Sequence, residues 1–468
     1  MGASAQKATI PEKMHLSNDQ SLLAQRERTT NGVPMDSTSY ANHIAILNEE
    51  LVCALGCTEP IAVAYAAALA KAALRQNPTH LEVACSGNII KNVKSVTVPN
   101  SGGMRGIEAA ATLGALGGDP LRELEVLQAV GPEDISRTRE FVEAGFCDVE
   151  LAEGVPNLYV RVVAQCEGHR AVACIEERHT NVVELTLDGE PTVAAGKTAV
   201  SAGLQEDGSS ADRSKLSLQS IWDFAHELKI EDVDELITRQ IETNQAISNE
   251  GLTNRWGANI GSTLLKSRSQ DISCKARAAA AAGSDARMSG CAMPVVINCG
   301  SGNQGITCSQ PVLEYAHELW SSHEDLVRAV VLSDLTAVHV KYFIGELSAF
   351  CGAVSAGCGA GAGICMLRGG SFAQFEATIV NTLANVGGIV CDGAKPSCAA
   401  KICAAVDAAI LGCDMALADD NFLAGDGLVG QNAEETIRSM GYVGRVGMHP
   451  TDVEILNIMI GKTNVSQG

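Results

Sequence analysis

Aromatic residues make up only 4% of this 468-residue chain. Its core therefore has to be assembled from small and aliphatic side chains, which let helices approach closely. Positive charge is scarce as well: 34 Lys and Arg stand against 55 Asp and Glu, a net of −21. That balance excludes a non-specific hold on nucleic acid or on an anionic membrane, either of which needs clustered basic residues. No CxxC pair occurs among 17 cysteines, so the usual signature of a structural zinc site is missing. The first 34 residues contain no apolar run that could act as a secretory leader, and they read as a disordered polar tail. The cysteines then read as thiols of a reduced, cytoplasmic protein rather than as a disulfide framework.

One charge-free run, Leu347 to Leu367, has the length of a bilayer span. Its Gly, Ala, Ser and Cys content suits a buried helix packed through small residues instead. With 46% hydrophobic and 19% charged residues the chain is globular and has ample material for a core.

The pattern along the chain indicates an α+β protein. Residues 35–203 read as a mixed region with a small antiparallel sheet. Residues 204–215, rich in Ser, Asp and Gly, read as a linker, and 216–468 as mainly helical. Helix is expected over 40–75, with Pro60 suited to a helix start, and over 104–117, 120–129 and 133–144. Residues 81–100 read as strand, turn, strand, and 148–193 as further short strands. Beyond the linker, helices are expected at 216–248, 258–283, 311–336, 340–367, 371–385 and 399–412, with glycine-rich breaks at 298–305 and 387–394.

Most cysteines suit the role of small buried hydrophobes. Cys166 with His169, and Cys174 with His179, come nearest to a zinc pattern. Cys351, Cys358 and Cys365 are spaced by seven, which would place them on one helical stripe. Three thiols differ in context: Cys57 before Pro60, Cys351 before Gly352, and Cys391 in Gly387-Gly388-Ile389-Val390-Cys391-Asp392-Gly393. Each joins a thiol to bare backbone close by, and for Cys57, immediately before a helix, the helix dipole should favour the thiolate. Three soft ligands from distant segments suit an iron–sulfur cluster better than a lone zinc. Asn298-Cys299-Gly300-Ser301-Gly302-Asn303-Gln304-Gly305 offers converging backbone N–H groups to an anion, with Ser301 and Asn303 adding side-chain bonds, and no Lys-Ser/Thr of a Walker loop follows it. Asn88 with Lys91 forms a similar polar turn. Lys395, His339 and Lys341 are candidate polar groups, the first two as bases.

Gly56-Cys57-Thr58-Glu59-Pro60, Ser86-Gly87-Asn88, Gly300-Ser301-Gly302-Asn303-Gln304-Gly305 and Cys391-Asp392-Gly393-Ala394-Lys395 occur in the order of the L-cysteine desulfidase family. From about residue 40 onward the chain resembles that family, which is related to the catalytic chain of the iron–sulfur L-serine dehydratases. The resemblance implies an oxygen-sensitive [4Fe–4S] cluster held by three cysteines, here Cys57, Cys351 and Cys391. Cys358 and Cys398 share the 40-residue interval of Cys351 and Cys391, and Cys398 is the runner-up ligand. The implied reaction is β-elimination from L-cysteine to sulfide, pyruvate and ammonia. Lys395 or His339 would be the base, and Asn88, Lys91, Ser301 and Asn303 would bind the substrate. Dehydration of L-serine by the same architecture is the nearest alternative. A pyridoxal phosphate lyase using Lys91 or Lys395, and a non-catalytic cysteine-rich redox or binding protein, are the others. The small-residue surfaces permit a homo-oligomer without demanding one.

Overall fold

Asp36 starts the first helix by accepting hydrogen bonds from the backbone N–H groups of Thr38 and Ser39. The computed structural model describes residues 35–198, 211–267, 271–345 and 347–463; the 1–34 segment and residues 204–210 of the expected linker lie outside them. The chain runs through α1 (Ser37–Glu50), β1 (Cys53–Leu55) and α2 (Thr58–Leu74), the last an alanine-rich helix buried around nearly its whole circumference. Then come β2 (His80–Cys85), α3 (Gly87–Val93), α4 (Ile107–Gly117) and α5 (Pro132–Glu143). β3 (Cys147–Leu151), β4 (Tyr159–Cys166), β5 (His169–Glu176), β6 (Val182–Leu187) and β7 (Glu190–Pro191) complete this half. Six strands form one sheet in the order β3-β2-β4-β5-β6-β7. All its pairs are antiparallel except β2 with β3. Alternate residues such as Val83, Val160, Val162, Ala171 and Ala173 are buried in one core with the apolar residues of α2 and α4.

The second half is helical: α6 (Leu218–Glu227), α7 (Asp234–Thr253), α8 (Ile260–Ser267) and α9 (Ile272–Met288), then the short β8 (Pro294–Val296). α10 (Gly302–Glu318), α11 (His323–Ile344), α12 (Gly352–Leu367), α13 (Phe372–Val386), α14 (Cys398–Leu417), α15 (Ala433–Tyr442) and α16 (His449–Met459) follow. β8 pairs antiparallel with β1, Cys53 opposite Val296, which ties the start of the chain into the helical half. The α+β class and the helical C-terminal half are as expected. Among the described residues no helix is long and apolar enough to cross a membrane.

Several boundaries differ for identifiable reasons. Residues 81–100 are not strand, turn, strand. After β2 the Ser86 hydroxyl accepts from the Ile89 N–H and opens α3, with Ile89 and Val93 buried one helical turn apart. Within 120–129 only a 3₁₀ turn forms, kinked where Glu123 adopts φ 47°. The 216–248 stretch divides at Leu228, and 258–283 divides before Asp271, whose carboxylate caps α9. The 340–367 stretch breaks after Ile344, so Cys351 caps α12 while Cys358 and Cys365 lie within it. The 311–336 stretch spans the end of α10 and the start of α11, and α15 and α16 have no counterpart in the expected set. At the described end of the expected linker, Arg213 forms ion pairs with Glu49 and Glu50 of α1.

One buried carboxyl positions the glycine-rich loop. Asp334 of α11 accepts from Asn298 (2.8 Å) and Gln240 (2.9 Å) and lies fully out of solvent. Burial raises it from its ordinary value to about 7, despite hydrogen bonds that oppose the shift. An acid with a raised folded-state pKa binds more protons folded than unfolded, so stability falls as pH rises from about 4 through about 7. Asp334→Asn should lose that dependence and be more stable than the parent at pH 8, by on the order of 1 kcal/mol. Denaturant unfolding at pH 5 and pH 8 checks this.

Candidate active site

Segments far apart in sequence meet around one cavity of about 120 Å³. Cys57 caps α2, and Cys351 caps α12. The Cys351 N–H bonds to Ile389 O (2.9 Å) and the Cys391 N–H to Ala349 O (2.6 Å), so these two loops are laced together. The Asp392–Ala394 turn docks against α3. Gly393 has φ +91°, and a Cβ there would stand 2.4 Å from the Lys91 carbonyl oxygen, so only glycine fits. Thr58 Oγ1 donates to Gly300 O (3.0 Å), joining the α2 start to the glycine-rich loop.

The thiols of Cys57, Cys351, Cys391, Cys398 and Cys299 all border this space. Cys57 belongs to a small apolar cluster with Val96 and Met288, against which Ala394 and Cys398 pack. Cys351 is hydrogen-bonded to Cys391, which holds Cys391 well below the usual thiol range and Cys351 well above it; Lys91 and Lys341 further favour the Cys391 thiolate. The helix start does not depress Cys57 as expected. Burial, then the Glu59 carboxylate that accepts its thiol proton at 3.1 Å, push it up. Among the described residues no three His, Cys, Asp or Glu side chains are disposed to hold a metal ion. The group expected from sequence is an iron–sulfur cluster held by thiolates. The donor set itself, several soft thiols around one enclosed space, fits such a group.

Five of the eighteen buried side-chain atoms left unpaired among the described residues belong to this lining. Asn88 Oδ1, Asn92 Oδ1, Asn303 Oδ1, His179 Nε2 and Arg287 Nη2 are buried without a hydrogen-bond partner, and all five residues line the cavity. Arg287 is only 2% exposed; its Nε donates to Gly56 O (2.8 Å), leaving Nη2 unpaired. Buried polar groups are nearly always paired, so such a cluster marks a ligand site. A guanidinium donor facing amide acceptors suits a small dipolar molecule with a carboxylate and an ammonium group.

Of the residues expected from sequence, Cys57, Cys351, Cys391, Cys398, Asn88, Lys91, Ser301 and Asn303 line the cavity. Lys91 is buried and ion-paired with Asp452 of α16. His339 and Lys395 are not in the lining. His339 pairs with Glu434 (2.9 Å), and Lys395 with Asp392 (2.5 Å) and the Gly393 carbonyl. Burial alone would raise Asp392, but its pairing with Lys395 and Lys401 outweighs this and holds it at about 2. His169 is bound to Asp188 (2.8 Å) at the surface, and the Cys174 thiol meets Tyr159. His179 turns up in the cavity lining rather than with Cys174 as a metal pair. Sequence reasoning missed Arg287, Asn92 and Glu59. The available signal was a lone arginine closing the alanine-rich run of α9.

The serine dehydratase alpha chain model matches residues 122–457. The chain belongs to the serine dehydratase alpha chain family. It is 46% identical over 422 residues to a UPF0597 protein of Finegoldia magna, covering 90% of this chain and 100% of that one. It is 47% identical over 423 residues to a UPF0597 protein of Desulfitobacterium hafniense, covering 90% and 97%. A UPF0597 protein of Fusobacterium nucleatum is 41% identical over 431 residues, covering 90% and 99%.

The close approach at Gly393 gives a direct check on how this family member assembles its cavity. Gly388 also has positive φ (+96°), but a Cβ there meets nothing within 4 Å. Gly388→Ala should cost about 1 kcal/mol of backbone strain, and Gly393→Ala about 1–3 kcal/mol more from the clash with α3. Chemical denaturation of both variants measures the difference.

Proposed function

We propose that this protein is an iron–sulfur-dependent lyase that eliminates the β-substituent of a small L-amino acid, with L-cysteine as substrate. The unpaired buried donors and acceptors around a cavity bordered by five thiols carry this reading. Cys57, Cys351 and Cys391 would hold the [4Fe–4S] cluster, with Cys398 the next thiol available. When bound, the cluster supplies a Lewis-acidic iron that polarises the leaving group. Arg287 receives the substrate carboxylate through its unpaired Nη2, and the Asn88, Asn92 and Asn303 amide oxygens accept from the ammonium. Ser301 and the adjoining start of α10 help fix the orientation.

L-Serine is the second reading, favoured by the name of the matching family. Cysteine and serine differ only in sulfur for oxygen, so discrimination rests on contacts with that atom.

Anaerobically reconstituted protein should release sulfide and pyruvate from L-cysteine faster than it forms pyruvate from L-serine. The reverse preference would favour the second reading, and no turnover of either would contradict both. Arg287→Lys should raise KM about tenfold or more at unchanged iron content, because a lysine ammonium cannot hold the Gly56 carbonyl and reach the substrate carboxylate from the same planar fork. Cys57→Ser, Cys351→Ser and Cys391→Ser should each lose most of the iron. Cys358→Ser, within α12, should keep it.

A further inference from the structure

His179 sits on the turn between β5 and β6 and, among the described residues, is the only histidine in the lining of the cavity. A second cavity of about 730 Å³ lies alongside, and the two share His179, Cys299, Gly300 and Lys341. The imidazole thus borders both the smaller cavity and its roomier neighbour. Its Nε2 is buried and has no hydrogen-bond partner. The turn that carries it is held by its own bonds: Glu176 N–H to Asn181 O (3.1 Å), Asn181 N–H to Arg178 O (3.1 Å) and Asn181 Nδ2 to Glu176 O (3.0 Å). Arg178 is anchored to Glu49 of α1 (2.9 Å). Beside the ring Gly300 leaves room for it, since a Cβ there would come within 3.2 Å of His179 Cε1. The turn is thus fixed in advance, and the histidine it carries lines the cavity with Nε2 buried and unpaired.

We propose that His179 is the catalytic base of the elimination and the acid that returns the proton. This rests on the lyase reading above. Nε2 takes the Cα proton, the C–H electron pair becomes the Cα=Cβ bond, and the Cβ–S bond breaks with its pair on sulfur. Hydrosulfide and 2-aminoacrylate result. The aminoacrylate ammonium gives up one proton to water, the imidazolium protonates Cβ as the resulting enamine becomes the iminium, and water hydrolyses the iminium to pyruvate and ammonium. Burial favours the neutral ring, as does Arg287, while Glu59 opposes them; an imidazole that is neutral at rest is the form a base requires.

The test uses anaerobically reconstituted full-length protein. His179→Gln should lower kcat about 10²–10⁴-fold while KM stays within about threefold and iron content matches the parent. His179→Ala should regain activity with added imidazole, which the neighbouring vestibule has room to admit. Independently of turnover, L-alanine, which lacks a leaving group, should slow carbethoxylation of His179 as read by peptide mass spectrometry. A parent that releases sulfide beside a His179→Gln variant within threefold of its kcat would overturn the base and leave the lyase reading standing. So would failure of imidazole to restore His179→Ala, or an L-alanine-independent labelling rate. A parent inert toward both L-cysteine and L-serine would overturn the lyase reading and the base together.

Discussion

Unpaired polar burial is the constraint on which the rest of this structure turns. Five buried donor or acceptor atoms without partners converge on one small cavity. Leaving such a group unsatisfied costs about 1–3 kcal/mol, so the set weighs against a net stability of only about 5–15 kcal/mol. A fold keeps that arrangement when a ligand satisfies it. The scaffold holds it in place from both halves: Arg287 comes from a helix of the helical half, Asn88 and Asn92 from α3, and Asn303 from the start of α10.

Small side chains make this convergence achievable. α2 and α12, rich in alanine and glycine, are buried along most of their length, and each begins at a cysteine that borders the cavity. Close packing fixes those helix starts to well-defined positions, and hence fixes the thiols. The hydrogen bonds that lace Ala349–Cys351 to Ile389–Cys391 bring the Cys351 and Cys391 thiols into contact. Asp334 does the same service for the glycine-rich loop by holding Asn298.

Much of this was legible in the sequence, for a physical reason. Cys57, Cys351 and Cys391 stood out because each adjoins a helix start or a glycine-rich turn, and such local features survive folding. The α+β division followed from the change in periodicity. What escaped was whatever depends on tertiary surroundings. Ser86-Gly87-Asn88 looked like a turn between strands because its β-branched neighbours outweighed the capping serine, yet Ile89 and Val93 find a buried face only as a helix. The depressed Cys57 thiol expected from the helix dipole is reversed by burial and Glu59. Lys395 and His339 attracted notice as isolated charges in apolar stretches, but each has an acidic partner outside the cavity lining. Arg287 carries no local motif, and His179 drew notice only beside Cys174 as a metal pair. Their significance lies in an unpaired nitrogen, which only the folded chain reveals.

The most direct test of the central claim is an iron anomalous-scattering map from crystals grown without oxygen. The account predicts iron density inside the cavity bordered by Cys57, Cys351 and Cys391, within bonding distance of all three thiolates. Density at any other group of cysteines, or a cavity filled without iron in protein that contains it, would contradict the account.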